Sequence, residues 1–179
     1  MSSDAPIVAR QTSAGFEFQR QQKVVLVADL VGSVSLMQRD ELGVIQRWES
    51  FVAHVTQVIL PVNEGRLVKS LGDGLMAEFD SAPRAVAAAL GMHRCIDERQ
   101  GTTHENRMRL RIGLNASLVY EGEHDIYGTG VNLAARIAAL ALPGCTVMTE
   151  SVRDGLTDGP DGNLVFAGTQ PNGAQARGG

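Results

Sequence analysis

Val24-Val25-Leu26-Val27-Ala28-Asp29-Leu30 is a continuous apolar, valine-rich run broken near its end by a single carboxylate. An apolar run without alternation reads as a central strand covered on both faces. Asp29 is the anomaly in it, because a carboxylate withdrawn from water without a partner is costly. From Val34 to about Leu60, apolar residues recur at helical spacing (Leu36, Ile45, Trp48, Phe51, Val52, Val55, Ile59), predicting one or two helices that stop at Pro61. Arg66 to Leu71 and Leu75 to Phe79 read as two short strands joined by Gly72-Asp73-Gly74, a turn that favours a tight hairpin with Asp73 at its tip. Ser81 or Asp80 can then cap a helix with Pro83 in its first turn, continuing from Ala85 to Ile96. Met108 to Leu114 alternates as a half-buried strand does, and Tyr120 to His124 reads as a turn.

The next run, Asp125-Ile126-Tyr127-Gly128-Thr129-Gly130-Val131-Asn132-Leu133-Ala134-Ala135-Arg136, pairs two structure-breaking glycines with an alanine-rich helix that runs to about Leu142. Asn132 and Arg136 stand one turn apart on one face of it. An amide and a guanidinium so placed suit a sugar oxygen and a phosphate side by side. Pro143-Gly144 ends the helix, Cys145 to Thr149 reads as a strand, Ser151 to Leu156 as a short helix, and Asn163 to Ala167 as the last structured segment.

The chain has 179 residues, of which 44% are apolar, enough for a real core in one domain. A net charge of -4 with scattered arginines offers no basic stripe, which argues against nucleic acid as a partner. Cys95 and Cys145 match no metal spacing and read as free thiols of a reducing compartment. No apolar run is long enough to cross a bilayer and no cleavable leader is visible, so a cytoplasmic location is expected. The expected division is a flexible polar lead-in over residues 1–22, a globular domain over 23–167 and a disordered tail over 168–179.

Two combinations of residues carry chemistry. Asp29 at a strand end and Asp73 at a neighbouring hairpin tip can share a hard cation, Mg²⁺ or Mn²⁺, and two such ions are possible beside a triphosphate. Asp73 is equally an ordinary turn residue. Lys69 and Asp125 supply the donor and acceptor that match adenine's acceptor at N1 and donor at N6, whereas guanine presents the opposite pattern. Lys23 and Lys69 are the two lysines of the chain, so a lysine within an apolar strand is conspicuous, although a lysine with its head at the surface is the plain alternative.

The segments Val27 to Gly32, Val68 to Gly74 and Asp125 through Arg136, in that order, resemble the catalytic domain of class III adenylyl/guanylyl cyclases. The match runs over roughly Val24 to Leu156. The resemblance implies an α+β fold, a ferredoxin-like βαββαβ core with added elements, working as a head-to-tail homodimer with active sites shared between subunits. It implies that Asp29, Asp73 and the Leu30 carbonyl bind two Mg²⁺ or Mn²⁺, and that Lys69 and Asp125 read the adenine of ATP. It further implies that Asn132 orients the ribose and Arg136 stabilises the transition-state phosphate, giving 3′,5′-cyclic AMP and pyrophosphate.

Four departures stand against the family pattern. Ser33 and Val34 occupy places that usually hold an aromatic and a hydroxyl residue, leaving Ser33 and the backbone N–H groups after Gly32 to contact phosphate. Ser117 stands where a glycine is common and predicts crowding of a neighbouring backbone. No lysine follows Lys69 to grip the terminal phosphates, and the last strand pair of the family is not recognisable. These departures keep a second expectation open, a catalytically silent cyclase-like domain that binds nucleotide and regulates an attached module.

Overall fold

A computed structural model describes residues 10–13, 16–100, 106–122 and 125–157. Its elements run β1 (Arg10–Ser13), β2 (Phe16–Leu30), α1 (Ser33–His54), a π-helical turn (Val55–Ile59), α2 (Leu60–Val62), β3 (Arg66–Ser70) and β4 (Gly74–Phe79). They continue with α3 (Ala82–Glu98), β5 (Leu110–Glu121), β6 (Ile126–Tyr127), α4 (Thr129–Leu140), β7 (Cys145–Met148) and α5 (Glu150–Thr157).

The sheet order β3-β4-β2-β5-β6 puts β2 at the centre, antiparallel to β4 on one side and β5 on the other. The succession β2-α1-β3-β4-α3-β5 is the expected ferredoxin-like βαββαβ core, with β1, β6, β7, α4 and α5 added. Double-sided burial explains the unbroken apolar run. Val24, Leu26, Ala28 and Leu30 face a core completed by α1, α3 and α5, while Val25 and Val27 face a second cluster with Met76, Val119, Ile126, Val131, Ala134 and Ala138.

Helix α4 lies close on β5 and β2 because small residues meet there. A Cβ on Gly113 of β5 would stand 2.4 Å from the Ala134 carbonyl oxygen and 2.6 Å from the Ala138 nitrogen. That contact fixes the height of the helix carrying Asn132 and Arg136 above the sheet.

Several expected boundaries shift. Strand β2 begins at Phe16, and β1 precedes it, where a flexible lead-in was expected through Gln22; the long antiparallel ladder from Gln19↔Glu121 to Leu30↔Leu110 recruits this polar stretch. The same ladder carries β5 on to Glu121, past the expected turn at Tyr120. The helix ends at Asn63, two residues past Pro61; the π-helical turn Val55–Ile59, in which the Leu60 N–H reaches back to the Val55 carbonyl, precedes the proline, which has no N–H to give. Within α1 the backbone breaks at Asp40, whose carboxylate accepts from the Gly43 N–H at 3.0 Å and Arg47 at 3.2 Å and so recaps the helix. Ser81 caps α3 by accepting from the Arg84 N–H. The expected strand Asn163 to Ala167 and the tail 168–179 lie outside the described residues. Among the described residues, no helix is long and apolar enough to cross a membrane.

Cys95 is buried and Cys145 half-buried, both free; burial pushes the Cys95 thiol up, in line with an inert packing role. His93 of α3 meets the Thr146 hydroxyl of β7 at 3.0 Å, and burial lowers its pKa from the ordinary 6.5, only partly opposed by Asp97. Below pH 6.5 the unfolded chain takes up a proton that the folded His93 resists, so this contribution to stability is complete above that pH and is lost as pH falls. Urea unfolding at pH 7.5 and 5.5 should therefore show a smaller acid loss in His93→Gln than in the wild type.

Candidate active site

The end of β2 is where the two metal-candidate aspartates meet. Asp29 is in register with Gly74 of β4 and Arg111 of β5, and the next residue, Leu30, donates its N–H to the Asp73 carbonyl at 2.9 Å. The hairpin tip is thereby pinned beside the strand end. Gly72 takes the positive φ of the turn at 79°, while Gly74 is already strand, with room for no Cβ against the Ala28 carbonyl oxygen at 2.8 Å.

Asp29 differs from the unpaired buried carboxylate expected from the strand pattern. Arg111 donates to its Oδ2 at 2.5 Å, and the two side chains are 33% and 31% exposed. Register explains it: Arg111 lies directly across the ladder on the same face. Sequence reasoning missed Arg111; its signal was an arginine in the polar phase of the alternating Met108–Leu114 run. A weaker contact from Arg111 to the Ala139 carbonyl at 3.4 Å ties the group to α4.

Gly32 adopts a left-handed conformation, φ 64°, that turns the chain from β2 into α1. Ser33 at the helix start is buried, and its hydroxyl donates to Asp73 Oδ2. That hydroxyl, expected to contact phosphate, is committed to the aspartate, which leaves the helix-start N–H groups for an anion. Oδ1 of both Asp29 and Asp73 has no hydrogen bond among the described residues, where no group of three or more His, Cys, Asp or Glu converges. Two carboxylates at one strand end are a sparse, hard donor set. Such a set suits Mg²⁺ or Mn²⁺ whose other ligands come from substrate phosphates and water.

Lys69 and Asp125, 56 residues apart, meet at 2.6 Å, with both side chains partly exposed. A register shift between Leu67 and Lys69 aims the lysine toward the β5–β6 hairpin, and Asp125 is fixed by accepting from the Ile126 N–H through Oδ1 at 2.8 Å. Asn132 and Arg136 project from α4 as exposed neighbours and join neither carboxylate pair through a hydrogen bond or ion pair among the described residues.

The crowding expected at Ser117 falls on Gly130, in the first turn of α4, where a Cβ would stand 1.8 Å from the Ser117 Oγ. Asn115, buried beside it, donates to the Gly130 carbonyl at 2.9 Å and anchors the turn. Gly130→Ala should cost about 1–3 kcal/mol through this overlap. Adding Ser117→Gly to Gly130→Ala should recover most of that loss in thermal unfolding.

Residues 16–172 match the family described as Adenylate and Guanylate cyclase catalytic domain. An adenylate cyclase of Glutamicibacter nicotianae is 35% identical over 137 residues, covering 73% of this chain and 31% of that protein. An adenylate cyclase of Streptomyces coelicolor is 32% identical over 143 residues, covering 77% of this chain and 32% of that protein. The chain thus spans about a third of the length of these relatives. Among solved structures, the adenylate/guanylate cyclase/hydrolase from Silicibacter pomeroyi superposes with a TM-score of 0.71 at 31% identity, covering 79% of this chain and 83% of that one.

Proposed function

Because the chain belongs to the adenylate and guanylate cyclase catalytic-domain family, we propose that it is an adenylyl cyclase converting ATP to 3′,5′-cyclic AMP and pyrophosphate. The observation that carries the choice of base is the Lys69–Asp125 pair at 2.6 Å. A purine entering there exchanges one ion pair for two hydrogen bonds, adenine N1 accepting from Lys69 and its amino group donating to Asp125. Guanine would oppose Lys69 with a donor and leave the pair mismatched, a cost of about 1–3 kcal/mol when buried. The adenylate cyclase names of the Glutamicibacter and Streptomyces relatives support the same substrate.

In the reaction the ribose 3′-hydroxyl loses its proton to solvent, its oxygen bonds to the α-phosphorus, and the bond from that phosphorus to the pyrophosphate oxygen breaks, the electron pair leaving with pyrophosphate. Asn132 holds the ribose, and Arg136 meets charge developing on the phosphoryl oxygens. Asp29, Asp73 and the Leu30 carbonyl would hold two Mg²⁺ or Mn²⁺, which when bound favour ionisation of the 3′-hydroxyl and neutralise the leaving pyrophosphate. Arg111, paired with Asp29 at the same strand end, would offer its guanidinium to a phosphate oxygen. The N–H groups that follow Gly32 offer a second anion contact.

The exposure of Asn132 and Arg136, apart from both carboxylate pairs, supports a homodimer in which each site draws Asp29 and Asp73 from one subunit and Lys69, Asp125, Asn132 and Arg136 from the other. The second reading, a silent nucleotide-binding regulatory domain, draws on the commitment of the Ser33 hydroxyl to Asp73. Incubation with ATP and Mn²⁺ should yield cyclic AMP, with GTP the poorer substrate by kcat/KM. ATP binding without turnover would select the silent domain, and equal use of ATP and GTP would remove the base assignment.

Shared sites have a further consequence. Asp73→Ala and Asn132→Ala should each be nearly inactive alone, yet a mixture should regain up to roughly a quarter of wild-type activity, because half of randomly exchanged dimers carry one intact site. A mixture that stays inactive despite demonstrated subunit exchange would mean that each chain builds its own site.

A further inference from the structure

We propose that Arg66, held between the buried Glu78 and Glu121, is a positioning strut that sets the gap between Lys69 and Asp125 and thereby the selectivity of the site for its purine base. The inference rests on the cyclase reading above. Lys69 and Asp125 belong to elements that are not neighbours in the sheet, since β4 and β2 lie between β3 and β5. The sheet curls so that the β3 edge meets the far end of β5, and two ion pairs span the junction: Lys69–Asp125 at 2.6 Å and Arg66–Glu121 at 3.0 Å.

The two links differ in what a ligand does to them. A base read by Lys69 and Asp125 must part them, so their own attraction cannot hold the gap once the site is filled. Arg66 and Glu121 lie outside that pair and keep the junction tied while it opens. Glu121 stands four positions before Asp125, at the end of β5, and Arg66 three before Lys69, ahead of the register shift that aims the lysine. Fixing these two anchors fixes the approach of both base-reading side chains.

Arg66 is itself anchored to a buried carboxylate. Glu78 is 4% exposed, and its Oε1 accepts from Arg66 Nε at 2.8 Å, while Oε2 has no hydrogen-bond partner. Withdrawing Arg66 would leave a buried carboxylate uncompensated, which is strongly unfavourable. The planar guanidinium can serve Glu78 through Nε and Glu121 through Nη2 at once; a lysine ammonium lacks that fork.

Two variants separate positioning from folding. Glu121→Ala removes the acceptor of Arg66 Nη2 and leaves the buried Arg66–Glu78 pair intact, and Arg66→Lys keeps a cation for Glu78 without the fork. Both should melt near the wild-type temperature. Both should lose about fivefold of the preference for 3′-deoxy-ATP over 3′-deoxy-GTP in equilibrium binding, the scale of one partly exposed charged contact. In both, KM for ATP should rise while kcat stays near wild type. A merely structural role would instead lower the melting temperature and leave base preference unchanged, and that result would overturn the strut. A wild type that binds neither analogue and makes no cyclic nucleotide would overturn the cyclase reading itself; a selective wild type with equally selective variants would overturn only the strut.

Discussion

Burial of β2 on both faces is the constraint from which the rest of the structure follows. A strand segment covered by α1, α3 and α5 on one side and by α4 on the other must satisfy its backbone groups laterally; over the apolar run β4 does so from Val24 to Asp29 and β5 from Val24 to Leu30. Where the apolar run ends, three strands are still held in register. Asp29, the Asp73 turn and Arg111 therefore arrive at one point as a by-product of packing, with no loop having to find them.

The carboxylates gathered on this side of the sheet share an electrostatic logic. Asp29 is met by Arg111, Asp73 by Ser33, and Asp125 by Lys69. Two are neutralised by a cation and the third accepts from a hydroxyl, which reduces the repulsion that clustered acids would otherwise cause. Each partner is also a group that a polar ligand could engage by exchange with its present contact. Exchange of this kind costs less than opening a buried pair, because every member named here except Ser33 keeps some contact with water.

Close packing of α4 adds a steric demand to this electrostatic one. Gly113 admits the helix onto β5, and Gly130 leaves room for Ser117, so the departure from the usual glycine at 117 is absorbed one element away. The height and rotation of the helix are thus set by backbone contacts, and its exposed face presents Asn132 and Arg136 one turn apart.

Local pattern was enough to read β2, the β3–β4 hairpin, α3 and α4 from sequence, since apolar periodicity and turn or cap residues are properties of neighbours along the chain. The resemblance of three short segments supplied the fold class and the candidate residues Asp29, Asp73, Lys69, Asp125, Asn132 and Arg136. What periodicity could not contain was register across distant strands. Only the ladder brings Arg111 to Asp29 across 82 residues, and only the curl of the sheet brings Arg66 to Glu121 across 55. The polar residues 19–22 lack an apolar signal and are strand because β5 offers them partners. Side-chain type and short-range spacing belong to the sequence; which charges face one another is decided by long-range backbone pairing, because a one-residue slip would turn each of them to the opposite face.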